Sequence, residues 1–213
     1  MKFGDKVIFP IIGMDKKGRG VGYVASTHST IQPRSSTGQA DLGQAGSPQS
    51  GRKAKVPFAA PGEEVEASLL RRDKGDLIMK AERILRASPV RVEPRCIYAG
   101  KCGGCAWQQF DYAAQLEWKR DLVNAAFSSV GVPATIDAVI PAPSQYYYRN
   151  RMDYCVGPRG EIGLKEPGRW NAYLDLSTCY LLSPDAVKVM EIVRDWMKEF
   201  AVAPWDNVHY TGY

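Results

Sequence analysis

The spacing of the cysteines constrains this chain more than any other feature. Cys96, Cys102 and Cys105 fall within ten residues of a glycine-rich segment, Cys179 follows after 73 intervening residues, and Cys155 stands apart. The N-terminus begins with Met1 and Lys2 and has no apolar run typical of a secretory signal, so we expect a cytoplasmic protein with reduced thiols. Clustered cysteines in such a chain indicate a metal site.

Four thiolates suit either Zn²⁺ or an iron–sulfur cluster, and three close cysteines need a fourth, for which we take Cys179. Zinc sites usually consist of two CxxC pairs, so the three-plus-one spacing favours a cluster and leaves zinc as the alternative. Gly103 and Gly104 would let the backbone fold around the metal and free N–H groups for its sulfides. Cys155 alternates with apolar neighbours and is interpreted as a structural thiol.

Short apolar runs and glycine turns precede the cysteines. Val65, Ala67 and Leu69 alternate with polar residues, as in a half-buried strand, and four or five such runs predict a small β-barrel over residues 1–87. Residues 26–53 interrupt it. Nineteen of these 28 residues are Ser, Thr, Gln, Gly or Pro, so we predict a disordered insert there.

Two further parts are predicted, which makes the chain α+β. Residues 88–140 would hold the cysteine loop and a helix from Asp111 to about Val130, and residues 141–213 would begin an α/β central domain. Ser183 should cap a last helix with a buried stripe: Ala186, Val189, Met190, Val193, Met197 and Phe200. No apolar run reaches 18 residues, so we expect no contact with a membrane.

Several motifs together resemble one family, over nearly the whole chain. The first part, with Gly18-Arg19-Gly20-Val21 and the run from Val56 to Val65, is similar to a TRAM domain, an RNA-binding barrel of the OB-like type. Cys102-Gly103-Gly104-Cys105 with Gln108 and the upstream Cys96, the helix residues Tyr112, Gln115, Leu116 and Lys119, and Tyr148-Arg149-Asn150-Arg151 with Cys179 complete the match. The chain thereby resembles the S-adenosylmethionine-dependent RNA uracil-C5 methyltransferases, in particular the 23S rRNA branch.

The resemblance implies a [4Fe-4S] cluster on Cys96, Cys102, Cys105 and Cys179, with a structural or RNA-positioning role, and a part in rRNA processing. It also implies that S-adenosylmethionine, the nucleophilic cysteine that attacks uracil C6 and the base that removes the C5 proton belong to a Rossmann-like domain that this chain lacks. We therefore expect no catalytic and no S-adenosylmethionine-binding residue here, and an inactive chain by itself. Cys155 has no motif matching the nucleophile.

Three alternatives remain open at this point. The chain could be a stand-alone RNA-binding module that works with a separately encoded catalytic part, a structural zinc protein, or part of a methyltransferase acting on tRNA. Target choice depends on parts of the family's proteins that this sequence does not contain.

The charge distribution points to an RNA partner, with rRNA expected first. Residues 1–95 carry a net charge of +7 and residues 96–213 a net charge of −2. A basic region next to aromatic residues suits a nucleic-acid backbone and its bases. The candidate RNA contacts are Lys16, Lys17, Arg19, Arg71, Arg72, Lys74, Tyr148, Arg149 and Arg151.

Overall fold

The computed structural model describes residues 1–25, 51–206, 209, 211 and 212. It divides into two compact units, one of Met1–Val92 with Gln109–Asp111 and the other of Glu93–Gln108 with Tyr112–Tyr213. The predicted α+β class is confirmed. The predicted insert at 26–53 lies outside the described residues, except for its end: Arg52 and Lys53 open a strand, because they pair in register with Val24 and Tyr23.

The first unit is one curled sheet of six strands, in the order β1-β5-β6-β4-β3-β2. Its strands are β1 (Lys6–Pro10), β2 (Gly13–Met14), β3 (Gly20–Val24), β4 (Arg52–Val56), β5 (Glu64–Asp73) and β6 (Asp76–Arg86). The two edge strands, β1 and β2, are separated in the chain only by Ile11 and Ile12. One short segment therefore lies along both edges, and the sheet must curl until they meet.

The core of this unit follows from period-2 alternation. Val65, Ala67 and Leu69 of β5 are buried, whereas the intervening Glu64, Glu66 and Ser68 are partly exposed, as the sequence predicts. Phe9, Ile11, Val56, Leu77 and Met79 complete the buried interior. Three register shifts between β5 and β6 mark bulges, which increase the twist that a curled sheet needs.

A buried ion pair joins two turns of this unit. Glu63 is completely buried, and its carboxylate accepts hydrogen bonds from the backbone N–H of Ala60 at 2.9 Å and from Nη2 of Arg91 at 2.9 Å, as well as from Nε of Arg91. Nη2 of Arg91 also donates to the carbonyl of Phe58 at 2.8 Å. Both oxygens of a wholly buried charge are thereby satisfied, which is the condition for tolerating it in a core.

Arg91 also lies next to the segment of residues 93–108, here called the cysteine loop, which contains Cys96, Cys102 and Cys105. Its guanidinium is 5.2 Å from the ring centre of Phe110, and the two residues form an antiparallel bridge. The N–H of Val92 donates to the carbonyl of Gln109 at 2.9 Å, and that of Asp111 to Val90 at 2.8 Å. Residues 93–108 therefore leave and rejoin the first unit at one closed stem.

The second unit holds the remaining elements: α1 (Tyr112–Ser129), β7 (Cys155–Val156), β8 (Ile162–Gly163) and α2 (Pro184–Glu199). The predicted strand at 174–182 is irregular, although Leu174 and Leu176 donate backbone hydrogen bonds to Leu164 and Ile162, at 2.8 and 2.9 Å. The core cluster of the second unit is small and consists of Cys102, Ile162, Leu176 and Met190.

Helix α2 begins as predicted, with Oγ of Ser183 accepting from the N–H of Ala186 at 3.3 Å. Its predicted buried stripe is wrong in part. Met190 is 3% exposed, but Val189 and Phe200 are 58% and 61% exposed. The small core touches only the row that contains Val187, Met190 and Met197, which is narrower than the apolar face of the helix.

No helix among the described residues has both the length and the apolar composition needed to span a lipid bilayer.

We predict that Arg91→Met destabilises the first unit, because it leaves the Glu63 carboxylate buried without its cation. The free energy of unfolding in urea should fall by about 3 kcal/mol. Arg83→Met is the matched control, since Arg83 is 67% exposed in its ion pair with Glu66, and it should cost less than about 1 kcal/mol. Equal effects of the two substitutions would contradict the role given to the buried pair.

A four-cysteine cavity as candidate functional site

Four of the five cysteines line one cavity of the second unit. Cys96, Cys102, Cys105 and Cys179 share its wall with aliphatic and aromatic side chains, among them Leu164, Leu176, Tyr98 and Tyr180. Cys155, on β7, is not part of this wall. The structure thus brings together the four thiols that the spacing singles out and leaves apart the one interpreted as structural.

The thiols surround a space and do not form a ready site for one ion. Within the described residues, no group of three or more Cys, His, Asp or Glu side chains is arranged to hold a metal ion as it stands. A single Zn²⁺ needs four sulfurs about 2.3 Å from one point. What the cavity offers is an all-sulfur donor set with neither carboxylate nor imidazole in its wall.

Tight turns and close backbone contacts shape the cysteine loop. The N–H of Cys102 donates to the carbonyl of Tyr98 at 2.9 Å, and that of Gly103 to Lys165 at 3.0 Å. A Cβ on Gly103 would lie 2.8 Å from the Lys165 carbonyl oxygen, and one on Gly104 would lie 2.8 Å from Cδ1 of Leu164. Gly103 is therefore required by its close approach to the Lys165 backbone, whereas the end of the Leu164 side chain can move aside for a Cβ at position 104.

The predicted role of the glycine N–H groups is wrong for Gly103. Its N–H is occupied by the Lys165 carbonyl, because the loop packs against that segment. The N–H of Gly104 does point to sulfur, donating to Sγ of Cys102 at 3.4 Å.

The Gln108 side chain connects two of the cysteines. Its Oε1 accepts from the backbone N–H of Cys96 at 2.8 Å, and its Nε2 donates to Sγ of Cys105 at 3.7 Å. The amide therefore holds the two ends of the loop together. Its position three residues after Cys105 is visible in the sequence, but its role as a bridge is not.

Two contacts attach the Cys179 segment to the loop. The Tyr98 hydroxyl hydrogen-bonds Oγ of Ser177 and accepts from its N–H, both at 3.0 Å. The guanidinium of Arg95 lies 4.4 Å from the ring centre of Tyr180. A partly exposed cation–π contact of this kind is worth about 0.5–1 kcal/mol.

Burial raises the pKa of two of the cavity thiols, Cys105 and Cys102, and so favours their protonated form in the metal-free chain. It raises the pKa of Cys105 to about 11, and the charges of Cys102, Cys179 and Cys96 act in the same direction, whereas Arg149 opposes them. Burial likewise raises the pKa of Cys102. Binding a cation to these sulfurs must therefore release protons.

A tyrosine hydroxyl is buried beside the cavity without a satisfied hydrogen bond. Tyr154 packs against the core that contains Cys102, and its hydroxyl oxygen has no partner of good geometry among the described residues. Burial, followed by the charge of the Cys179 thiolate, raises the pKa of Tyr154. The unsatisfied hydroxyl of Tyr154 can donate a hydrogen bond to a neighbouring thiolate sulfur. The residues around the cavity therefore fit a site whose cysteines are deprotonated.

The candidate RNA contacts of the first unit differ in their surroundings. Lys16, Lys17 and Lys74 are exposed in turns. Arg19 is held by Asp15 through Nη2 at 2.6 Å and Nε at 2.9 Å, and its side chain is only 16% exposed. Its charge is thus already neutralised within the turn.

The remaining two arginines of this unit have weaker partners. Arg71 lies 3.7 Å from a carboxylate oxygen of Asp73, and Arg72 donates to the carbonyl of Met1 at 3.0 Å. Both are exposed on β5.

The candidates of the second unit lie on one irregular segment. Tyr148 is 60% exposed, and Arg149 is exposed with its backbone N–H donating to Leu181 at 2.9 Å. Arg151 forms an exposed ion pair with Asp153 at 2.9 Å. Arg149 therefore has the cation most available to an anionic ligand, since its guanidinium contacts only the Met152 sulfur, at 3.7 Å, among the partners found in the described part of the chain.

We predict that the metal-free chain loses stability as the pH rises from about 9 to about 11. The folded-state pKa of Cys105, about 11, lies above its ordinary value of 9.0. Stability is therefore full below pH 9 and falls between pH 9 and pH 11, where the thiol of the unfolded chain ionises while that of the folded chain stays protonated. Urea unfolding at pH 8 and pH 10.5 measures the loss. It should be smaller in Cys105→Ala and unchanged in Cys155→Ala, and an equal loss in all three chains would contradict the prediction.

The chain is similar to RNA methyltransferases over about three quarters of its length. An uncharacterised RNA methyltransferase of Nanoarchaeum equitans is 36% identical over 167 residues, which are 76% of this chain and 35% of that protein. The tRNA (uracil(54)-C(5))-methyltransferase of Pyrococcus furiosus is 35% identical, with 76% and 38% covered. The 23S rRNA (uracil(747)-C(5))-methyltransferase of Pyrococcus horikoshii is 32% identical, with 73% and 37% covered. No protein-family model matches the chain.

A solved structure agrees with these relatives. The tRNA (uracil-54, C5)-methyltransferase of Pyrococcus abyssi, in complex with S-adenosyl-L-homocysteine, matches 76% of this chain and 38% of its own with a TM-score of 0.57 and 26% identity. The chain spans between a third and two fifths of the length of these proteins. Its homologues are thus RNA (uracil-C5) methyltransferases, of both the tRNA and the 23S rRNA types.

Proposed function

We propose that this chain is the RNA-recognition and iron–sulfur portion of an S-adenosylmethionine-dependent RNA uracil-C5 methyltransferase. The observation that carries the proposal is the meeting of Cys96, Cys102, Cys105 and Cys179 in one cavity of a chain whose homologues methylate uracil C5 in RNA. We assign the transfer of the methyl group to the part of such proteins that the chain does not span. The 213-residue chain alone should therefore not methylate RNA.

For the metal we propose a [4Fe-4S] cluster, with a single zinc ion as the alternative. The four thiols line one cavity, thiolates are the ligands that iron–sulfur clusters use, and the three-plus-one spacing of the cysteines differs from the two CxxC pairs usual for zinc. The N–H of Gly104 and the Nε2 of Gln108 donate to two of the sulfurs, which stabilises thiolate charge. A cluster held by four cysteines has no open iron, so it would supply structure and not a reacting centre.

The curled sheet supports a TRAM-type RNA-binding barrel. Its exposed basic turns, with Lys16 and Lys17 before β3 and Lys74 after β5, place cations where a phosphate backbone can reach them. Relatives of both substrate types have nearly equal identity, so the target is tRNA or rRNA with no preference for the 23S branch.

A stand-alone RNA-binding module is the second candidate. The exposed lysines and the four-thiol cavity are as compatible with such a module as with a portion of an enzyme. Supplying the purified chain with S-adenosylmethionine and a separately expressed catalytic part of a relative tests the choice. Restored methylation supports the enzyme portion, and RNA binding without it supports the module.

We predict that the anaerobically purified chain contains about four irons and four sulfides and absorbs broadly near 400 nm. Cys102→Ser should lose the iron because it removes a buried ligand of the cavity. Cys155→Ser is the matched control and should retain it, since Cys155 lies outside the cavity. One zinc per chain in place of iron would refute the cluster.

We predict that replacing Lys16 and Lys17 together by Ala weakens RNA binding and lowers the slope of log K against log salt by about 2. The control removes the same net charge at Arg169 and Lys188, which are paired with Glu166 and Asp185 at 2.7 and 3.0 Å. Filter binding of tRNA and 23S rRNA fragments between 50 and 200 mM salt measures the slope for both double variants. Over that salt range the affinity of a protein with six or more phosphate contacts falls by about 10³-fold. Equal slopes in the two double variants would contradict the assignment.

A further inference from the structure

We infer that Arg95 is a positioning residue that brings Cys179 to the three cysteines of the loop, by holding its guanidinium among three tyrosine rings. The inference rests on the proposed function in treating the four thiols as one ligand set. It concerns how the thiols are assembled, so it does not depend on which metal they bind.

The three rings, here called the tyrosine cage, belong to Tyr146, Tyr147 and Tyr180. The guanidinium carbon of Arg95 is 5.0, 5.2 and 4.4 Å from their respective ring centres. Nη2 of Arg95 also donates to the hydroxyl of Tyr147 at 2.8 Å. Tyr146 and Tyr147 each meet Tyr180 edge to face, at 6.2 and 6.4 Å. One cation thus lies within contact of three rings, two of which pack against the third, Tyr180.

The cage members are next to the cavity cysteines in the chain. Arg95 immediately precedes Cys96, and Tyr180 immediately follows Cys179. The backbone N–H of Tyr147 donates to the carbonyl of Tyr180 at 2.8 Å, which ties the Cys179 segment to the segment that carries Tyr146 and Tyr147. Holding Arg95 against Tyr180 therefore fixes the backbone beside two thiols that are 83 positions apart in the sequence.

Arginine suits this position because its cation is planar. Among the described residues, no carboxylate lies within ion-pair distance of Arg95, so the rings are the partners of its charge. A guanidinium stacks flat on aromatic faces and donates in its own plane, whereas a lysine ammonium is a point charge. The Tyr98–Ser177 contact is the other attachment of this segment, and it lies two residues from Cys179.

The experiment uses metal-free chains that keep only two cysteines, with the others changed to Ala. One chain keeps Cys96 and Cys179, and the control chain keeps Cys102 and Cys105, which the loop itself holds close. Dibromobimane becomes fluorescent when it bridges two thiols, so the bridging rate reports their proximity.

Arg95→Ala should slow bridging of Cys96 and Cys179 by about tenfold or more, the loss expected from two to three cation–π contacts. Bridging of Cys102 and Cys105 should stay within about twofold, because no cage contact intervenes between them. Arg95→Lys should also slow the first pair, and Tyr147→Phe, which keeps all three rings, should slow it least.

Each outcome decides the inference. Unchanged bridging of Cys96 and Cys179 in Arg95→Ala overturns it, and so does an equal slowing of both pairs, which would show a general loss of folding. If Arg95→Ala unfolds by circular dichroism, the comparison of Arg95→Lys with Tyr147→Phe decides in the same way. If the bridging result holds while the full-cysteine chain carries zinc, the cofactor proposal fails and this inference stands.

Discussion

The buried pair of Glu63 and Arg91 is the interaction on which the rest of the structure depends. It holds the turn before β5 to the segment that follows β6, and the same guanidinium stacks on Phe110 at the stem of the cysteine loop. One charged contact therefore joins three segments of the first unit: the turn before β5, the segment after β6 and residues 109–111. Because Glu63 is wholly buried, neither partner can be lost without leaving the other in an unfavourable environment.

The closed stem bears on how the four cavity cysteines come together. With Val92 bonded to Gln109, three of the four cysteines lie in one excursion of 16 residues, and only Cys179 must arrive from far along the chain. Closing a short loop costs less entropy than closing a long one. The contacts made by Tyr98 and Arg95 to residues 177–180 therefore act on Cys179, the one cavity cysteine that lies far from the others in the sequence.

Much of this fold could be predicted from the sequence, for reasons visible in particular residues. The alternation in β5 and the Ser183 cap are local signals, and both are confirmed. The stripe on α2 was predicted too wide, because periodicity shows which residues are apolar and not how much surface is present to cover them. Arg19, predicted as a candidate RNA contact, forms an ion pair with Asp15, since a turn can neutralise its own charge.

The grouping of the four cavity cysteines could be predicted because residue type and spacing alone indicate it. The residues that hold these cysteines in place could not be predicted. Gln108, Arg95 and Tyr154 act through contacts with residues that are distant in the chain or that have no single role evident from the sequence. The branch of the family was predicted more narrowly than the relatives allow, because both substrate types share this part of the sequence to a similar extent.

Gly103, between Cys102 and Cys105, meets a packing requirement that is separate from the chemistry of the cysteines. Gly103 is required because the backbone of Lys165 leaves no room for a Cβ, whatever the sulfurs hold. In a relative whose loop cysteines were replaced by other residues, the requirement for glycine at position 103 would remain as long as the loop packed against Lys165. A glycine kept there without its neighbouring cysteines would then report the shape of the loop and not the chemistry of its sulfurs.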